Sequence, residues 1–233
     1  MENELKYRSC FDIIGPIMIG PSSSHTAGAC AIGYACYQLF EKIPDKVKIT
    51  YYESFAATHR GHGTDFALVS GLLGFASDDD RVPYSLSLAR DRGMEISFVE
   101  SKDPSPAEHA NTAYLELSDK EGNYLNVLGV SIGGGAMEIC RVEKQGFIVE
   151  PQETRNLVIM EWSQELDSDL FKKTLEQLQL TLLNYQEVSI GNMNIVLFNP
   201  KRCLSKIELN AICEKTNADS YITVLNCEGD SNV

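Results

Sequence analysis

Basic residues are the first shortage: 20 Lys and Arg stand against 33 Asp and Glu in 233 residues, a formal charge of −13. A nucleic-acid binder needs a basic stripe to displace counterions from phosphates, so that class is excluded. An anionic membrane surface is excluded as a partner on the same ground. Long apolar runs are also missing. No segment approaches the roughly 20 apolar residues that cross a bilayer. The start, Met1-Glu2-Asn3-Glu4-Leu5-Lys6, lacks the basic-then-apolar layout of a secretion signal, so the chain is expected to be cytoplasmic. The seven cysteines (Cys10, Cys30, Cys36, Cys140, Cys203, Cys213, Cys227) contain no C-x-x-C pair, so zinc-ribbon and ferredoxin-type ligand patterns are absent. Their odd number and wide scatter predict buried free thiols, with no disulfides. Histidine is absent from residues 151–233; all four, His25, His59, His62 and His109, lie in the first half.

What is present fits one or two domains with a real apolar core. The acidic excess is spread along the chain, with 13 basic and 21 acidic side chains in residues 1–150 and 7 and 12 in residues 151–233. It therefore reads as solubility, with no partner implied. A polar link from Gly146 through Pro151-Gln152-Glu153 places a boundary between domains 1–150 and 151–233. In the first domain the apolar run Ile13–Gly20 ends in Gly20-Pro21. Helices are expected over Thr26–Phe40, Thr64–Phe75 and Tyr84–Arg92. Strands are expected over Lys46–Phe55, Glu95–Val99, Thr112–Leu117, Tyr124–Ile132 and Ala136–Val142, with a hairpin turn at Asp119–Asn123. The second domain reads strand, helix, strand, strand, helix, strand, beginning at Leu157 and ending at Leu225. That is the split β-α-β, ferredoxin-like order. The fold class is therefore mixed α/β (α+β).

Three stretches carry candidate chemistry. In Gly20-Pro21-Ser22-Ser23-Ser24-His25-Thr26, a tight turn and three hydroxyls lead into a helix whose first turn holds no carboxylate. Free N–H groups, the helix dipole and the hydroxyls suit a carboxylate or phosphate. An ordinary N-cap explains part of this, but three serines and a histidine exceed what a cap requires. Thr58-His59-Arg60-Gly61-His62-Gly63-Thr64-Asp65 is expected as a glycine-rich loop between a strand and a helix. Two histidines, an arginine and a carboxylate gather there, with Asp65 near enough to cap the helix or orient a histidine. In Glu108-His109-Ala110-Asn111-Thr112, His109 and Asn111 share a face if the segment is extended. Ser131-Ile132-Gly133-Gly134-Gly135 reads as an anion nest or a bulge between strands, with the bulge favoured.

Taken together and in this order, these stretches resemble the β subunits of the two-chain, iron–sulfur-dependent bacterial L-serine dehydratases. The matching residues are Phe11–Pro16, Met18–Gly28, Gly61–Asp65, Gly71–Gly74, Asp78-Asp79 with Arg81, His109–Thr112 and Ser131–Gly135, covering roughly residues 7–150. The resemblance implies conversion of L-serine to pyruvate and ammonia by a [4Fe–4S] enzyme whose cluster cysteines belong to a partner α subunit. In such an enzyme the cluster acts as a Lewis acid on the serine hydroxyl while a base removes the Cα proton. It further implies that His62, His25, His59, Asp65 and His109 are the catalytic candidates, with His62 first for proton transfer. Ser22, Ser23, Ser24, Thr26, Arg60, Thr64 and Asn111 would bind substrate, and the chain itself would ligate no metal. The second domain resembles the ACT modules that often close such subunits. Its first loop, Ser163-Gln164-Glu165-Leu166-Asp167, lacks their Pro-Gly turn, which argues against amino-acid binding there and points the module towards assembly; homodimerisation is a separate open expectation.

A second class stays open. The first domain also resembles the allosteric substrate-binding domain of some phosphoglycerate dehydrogenases, a non-catalytic amino-acid or anion-binding module. An anion sensor needs only Arg, Lys and backbone amides, whereas neutral-range acid–base groups at three sites favour catalysis.

Overall fold

The computed structural model describes residues 17–144, 146–151 and 156–224. Phe11–Pro16, Cys10, Cys227, Leu225 and the link residues Gln152 and Glu153 lie outside that set. The chain divides into two compact units, residues 1–150 and 151–233.

In the first unit a turn at Ser23–Ala27 runs into helix α1 (Gly28–Phe40). Strand β1 (Lys46–Tyr52) follows, with Val47, Ile49 and Tyr51 on its buried side, as the alternation predicts. The strand expected to reach Phe55 stops at Tyr52. Helix α2 (Glu53–His62) replaces both the end of that strand and the expected glycine-rich loop. Phe55 and His59, four apart, form its buried side, so helical spacing overrides the apparent alternation. Helix α3 (Thr64–Leu72), a 3₁₀ turn (Val82–Tyr84) and α4 (Ser85–Asp91) complete the crossover to β2 (Glu95–Glu100). The crossover lets β1 and β2 run parallel.

β3 (Asn111–Ser118), β4 (Tyr124–Gly133), β5 (Ala136–Lys144) and the short β6 (Phe147–Val149) continue the sheet antiparallel in the order β2-β1-β3-β4-β5-β6. β6 has no counterpart in the sequence reading. The turn between β3 and β4 closes on Asp119, whose carboxylate accepts from the N–H groups of Glu121 and Asn123. The Asn123 amide and the Lys42 ammonium hold that carboxyl far below the usual range.

α1 and α3 approach closely because each presents a glycine to the other. A Cβ on Gly33 would lie 2.1 Å from the Leu68 carbonyl oxygen, and one on Gly71 would lie 2.1 Å from that of Cys30. Neither obstacle is a flexible side chain, so the helices must separate to admit a methyl group.

The second unit contains β7 (Leu157–Trp162), α5 (Ser168–Gln177), β8 (Leu182–Ile190), β9 (Met193–Pro200), α6 (Lys206–Thr216) and β10 (Ser220–Val224). Its all-antiparallel sheet has the order β10-β7-β9-β8, the split β-α-β arrangement. Asp167 caps α5 by accepting from the Leu170 N–H at 2.9 Å, and Ser205 with Glu208 forms a capping box on α6. Trp162, Phe171, Phe198, Leu209 and Ile212 lie in the core. The indole N–H of Trp162 donates to the Thr216 carbonyl at 2.9 Å.

Cys30 and Cys36 are buried free thiols, and Cys140 and Cys213 are free and half-buried. Cys203 departs from the expected free thiols: it is disulfide-bonded. Among the described residues no helix is long and apolar enough to cross a membrane.

The helix contact predicts that Gly33→Ala or Gly71→Ala lowers stability by about 1–3 kcal/mol, the usual cost of overpacking. Urea denaturation should show a lower midpoint at unchanged slope. A midpoint equal to that of the parent chain would refute the close approach.

Candidate active site

The Ser-rich turn is a π-helical turn. The Gly28 N–H donates to the Ser23 carbonyl, and the turn is capped by Ser22, whose Oγ accepts from the His25 N–H at 3.2 Å. Such widened turns are frequent at functional sites. Ser22, Ser23, Ser24 and His25 are half-buried, Thr26 is fully buried, and no acidic residue occupies the turn.

His25 is oriented at both ring nitrogens. Nδ1 lies 3.0 Å from Ser24 Oγ and 3.4 Å from Ser22 Oγ, and Nε2 lies 3.1 Å from Ser54 Oγ at the start of α2. A neutral imidazole, with one donor and one acceptor nitrogen, satisfies hydroxyls on both sides. The His62 ring meets His25 edge-on at 4.7 Å between centroids, and Phe55 stands at 5.3 Å. Burial, and secondarily the like charge of His62, push the His25 pKa below its ordinary value. His62 reaches this position because Thr26 Oγ1 donates to its carbonyl at 3.1 Å. Gly63, at φ 73°, then turns the chain from α2 into α3. A side chain at position 63 would also collide with the Phe66 ring.

The third stretch joins this group through Ser54. Its N–H donates to the Ala110 carbonyl at 2.9 Å, so His109-Ala110-Asn111 is pinned beside the start of α2. His109 and Asn111 do not share a strand face as expected. Glu108 adopts φ 52° and β3 begins only at Asn111, so the His109 ring folds back and Nδ1 accepts from the Asn111 N–H at 3.1 Å. The Asn111 amide extends to the Ser131 carbonyl at 3.4 Å.

His59, Asp65 and Arg60 form a separate cluster. Asp65 orients His59, with Oδ1 2.6 Å from Nδ1, and does not pair with His62. His59 Nε2 lies 3.0 Å from Glu100 Oε1, which also meets the exposed Arg60 guanidinium at 3.1 Å. Thr64 is buried, and its hydroxyl has no hydrogen-bond partner among the described residues. A shallow depression of about 250 Å³ along α2, bordered by His59, Arg60 and Glu100 among others, touches neither His25 nor the serines. Sequence reasoning missed Ser54, Phe55 and Glu100. The four-residue spacing of Phe55 and His59 was the local signal for the helix that carries the first two.

The described cysteines do not fit the thiolate set of an iron–sulfur cluster. Cys30 and Cys36 are enclosed in α1, and burial pushes the Cys30 thiol up to about 11. Among the described residues no three His, Cys, Asp or Glu side chains gather as a metal site.

A half-buried histidine lies between hydroxyls at a helix entrance that holds no acidic residue, an arrangement whose groups suit acid–base chemistry. The family described as Serine dehydratase beta chain matches residues 9–141, and this chain belongs to that family. It is 48% identical over 143 residues to the probable L-serine dehydratase, beta chain, of Bacillus subtilis (strain 168), covering 61% of this chain and 63% of that one. It is 39% identical over 157 residues to the L-serine dehydratase, beta chain, of Peptoniphilus asaccharolyticus, covering 67% and 69%. A longer relative, the L-serine dehydratase of Streptomyces coelicolor, is 36% identical over 149 residues, 54% of this chain and 32% of that protein.

The site predicts that the His25 ring titrates below the ordinary 6.5 in an NMR experiment on the labelled chain. In His62→Gln the midpoint should rise, because a like charge is gone, yet stay below 6.5 because burial is the larger cause. The folded value lies below the unfolded one, so His25's contribution to stability is complete above pH 6.5. It is lost as pH falls through the folded midpoint. A midpoint at or above 6.5 would sink the assignment.

Proposed function

We propose that the chain is the β subunit of an L-serine dehydratase, an L-serine ammonia-lyase that makes pyruvate and ammonia. It would work with an α subunit that holds a [4Fe–4S] cluster. Membership of the family and the names of its relatives support this reading. The observation that carries it is His25, whose ring nitrogens lie 3.0 Å from Ser24 Oγ and 3.1 Å from Ser54 Oγ beside the Ser22–Ser24 hydroxyls.

Removing the Cα proton of serine needs a neutral base at physiological pH, held within reach of the substrate. The lowered pKa of His25 keeps the imidazole neutral, and the hydroxyls fix its ring plane. The substrate carboxylate would sit on the Ser22–Ser24 hydroxyls and the free N–H groups of the π turn, where no carboxylate of the chain competes. The proton passes from Cα to His25, hydroxide leaves Cβ, and the enamine tautomerises and hydrolyses to pyruvate and ammonia. His62, against the His25 ring, modulates its basicity, and this geometry supports His25 over His62 as the base. Asn111, tied to the cluster through Ala110 and Ser54, lies on the substrate side of the proposal. The second unit is read as an ACT-like module for assembly, and the enzyme as cytoplasmic.

The test is co-purification of the full chain with its α subunit and assay of pyruvate from L-serine. His25→Ala should lower kcat by about 10²–10⁴-fold, the range for loss of a general base. Ser22→Ala with Ser24→Ala should act mainly on KM. A complex that forms but makes no pyruvate would leave the regulatory-module alternative, and near-normal turnover of His25→Ala would reject the base.

A further inference from the structure

The chemistry above leaves unused one titratable cluster, centred on a buried histidine. His59 is 3% exposed, and both ring nitrogens face carboxylates: Asp65 on α3 at 2.6 Å and Glu100 on β2 at 3.0 Å. Carboxylates only accept hydrogen bonds, so both contacts form together only when each nitrogen carries a proton. Tyr51 of β1 covers the ring at 4.7 Å and Phe98 of β2 at 6.4 Å. Arg60 reinforces Glu100 at 3.1 Å. Four elements, α2, α3, β1 and β2, thus meet at one imidazole.

The location of this clamp matters more than its composition. The His59–Asp65 bond spans six positions of sequence, and His62 stands midway between its ends. The bond therefore closes the α2–Gly63–α3 corner around His62. A packed aromatic series leads from the clamp to the site: His59 to Tyr51 at 4.7 Å, Tyr51 to Phe55 at 6.2 Å and Phe55 to His25 at 5.3 Å. Ion contacts to a buried group with exposed partners are a poor source of stability, because apolar replacements often match buried pairs and exposed pairs are worth little. Their distinguishing effect is a fixed arrangement.

We propose that His59 is a positioning residue: clamped by Asp65 and Glu100, it fixes the corner that holds His62 against His25. The catalytic consequence rests on the dehydratase reading; the geometric one does not.

The test is His59→Phe in the full-length chain, which keeps a ring between Tyr51 and Phe98 and removes both donors. With labelled histidines, the His25–His62 ring contact should weaken in NMR. The His25 titration midpoint should rise as the influence of His62 recedes. In the αβ complex, kcat should fall about tenfold while KM for L-serine stays within about twofold, as for a misplaced group that does not bind substrate. An unchanged ring contact and an unchanged His25 midpoint, with only a lower melting temperature, would overturn the proposal. Should His59→Phe not fold, Glu100→Gln at the exposed end of the clamp should move both NMR signals in the same direction, and unmoved signals would again overturn it. If both signals move in a chain whose parent αβ complex makes no pyruvate, the positioning stands and the dehydratase reading fails.

Discussion

The buried Thr26 hydroxyl ties the two halves of this site together by donating to the His62 carbonyl. Thr26 belongs to the π turn, and His62 is the last residue of α2. A helix end leaves carbonyls without partners, and a π turn at the start of another helix brings a hydroxyl to one of them. The bond thereby satisfies a terminal carbonyl and sets the distance between the two histidine-bearing segments. The edge-on contact of His25 and His62 follows from it, as does the reach of Ser54 to His25 from the other end of α2. Below this junction the Gly33–Gly71 contact brings α1 and α3 together, so the turn and the Gly63 corner sit at the ends of two closely packed helices.

The net charge of −13 makes this placement demanding. An acidic protein repels a carboxylate at long range, so a site for one must be built from local dipoles. The π turn presents hydroxyls and an imidazole, and it contains no Asp or Glu. Asp65 and Glu100, which would oppose an anion, are occupied by His59 and Arg60 instead. The clamp therefore keeps two nearby carboxylates paired and fixes the corner at the same time.

Most of the fold was legible, for reasons that also explain the misses. The second unit shows its strands and helices plainly because its helices are amphipathic and capped by local residues, Asp167 and Ser205 with Glu208. The Asp119–Asn123 turn is equally local. The sequence does not mark the boundary between β1 and α2 because Phe55 falls in phase with the alternation of Val47, Ile49 and Tyr51. No capping side chain announces the helix, since Tyr52 is its N-cap and makes no side-chain bond. Within the site, the Ser22–His25 stretch and His62 were legible as chemistry because glycine, hydroxyl and histidine cluster in few residues. Glu100 was not. It lies 41 positions from the histidine it holds, and nothing at a strand end records such a partner.

The structure also separates histidines that look equivalent in the sequence. His59 and His62 are three residues apart in one helix, yet their surroundings differ: His59 lies between two carboxylates, and the His62 ring meets that of His25. A ring whose two nitrogens both lie within hydrogen-bond distance of carboxylates, packed against Tyr51 and Phe98, has both nitrogens engaged. It can hold elements together but cannot exchange a proton with a ligand without breaking the clamp. His25 has the reverse situation. Its partners are hydroxyls that both give and accept protons, so the ring can change protonation state while Ser24 and Ser54 reorient their O–H groups. On the proposed reading, proton transfer falls to the histidine among hydroxyls and rigidity to the one between carboxylates. His62, bonded through its backbone and touching His25 through its ring, connects the two.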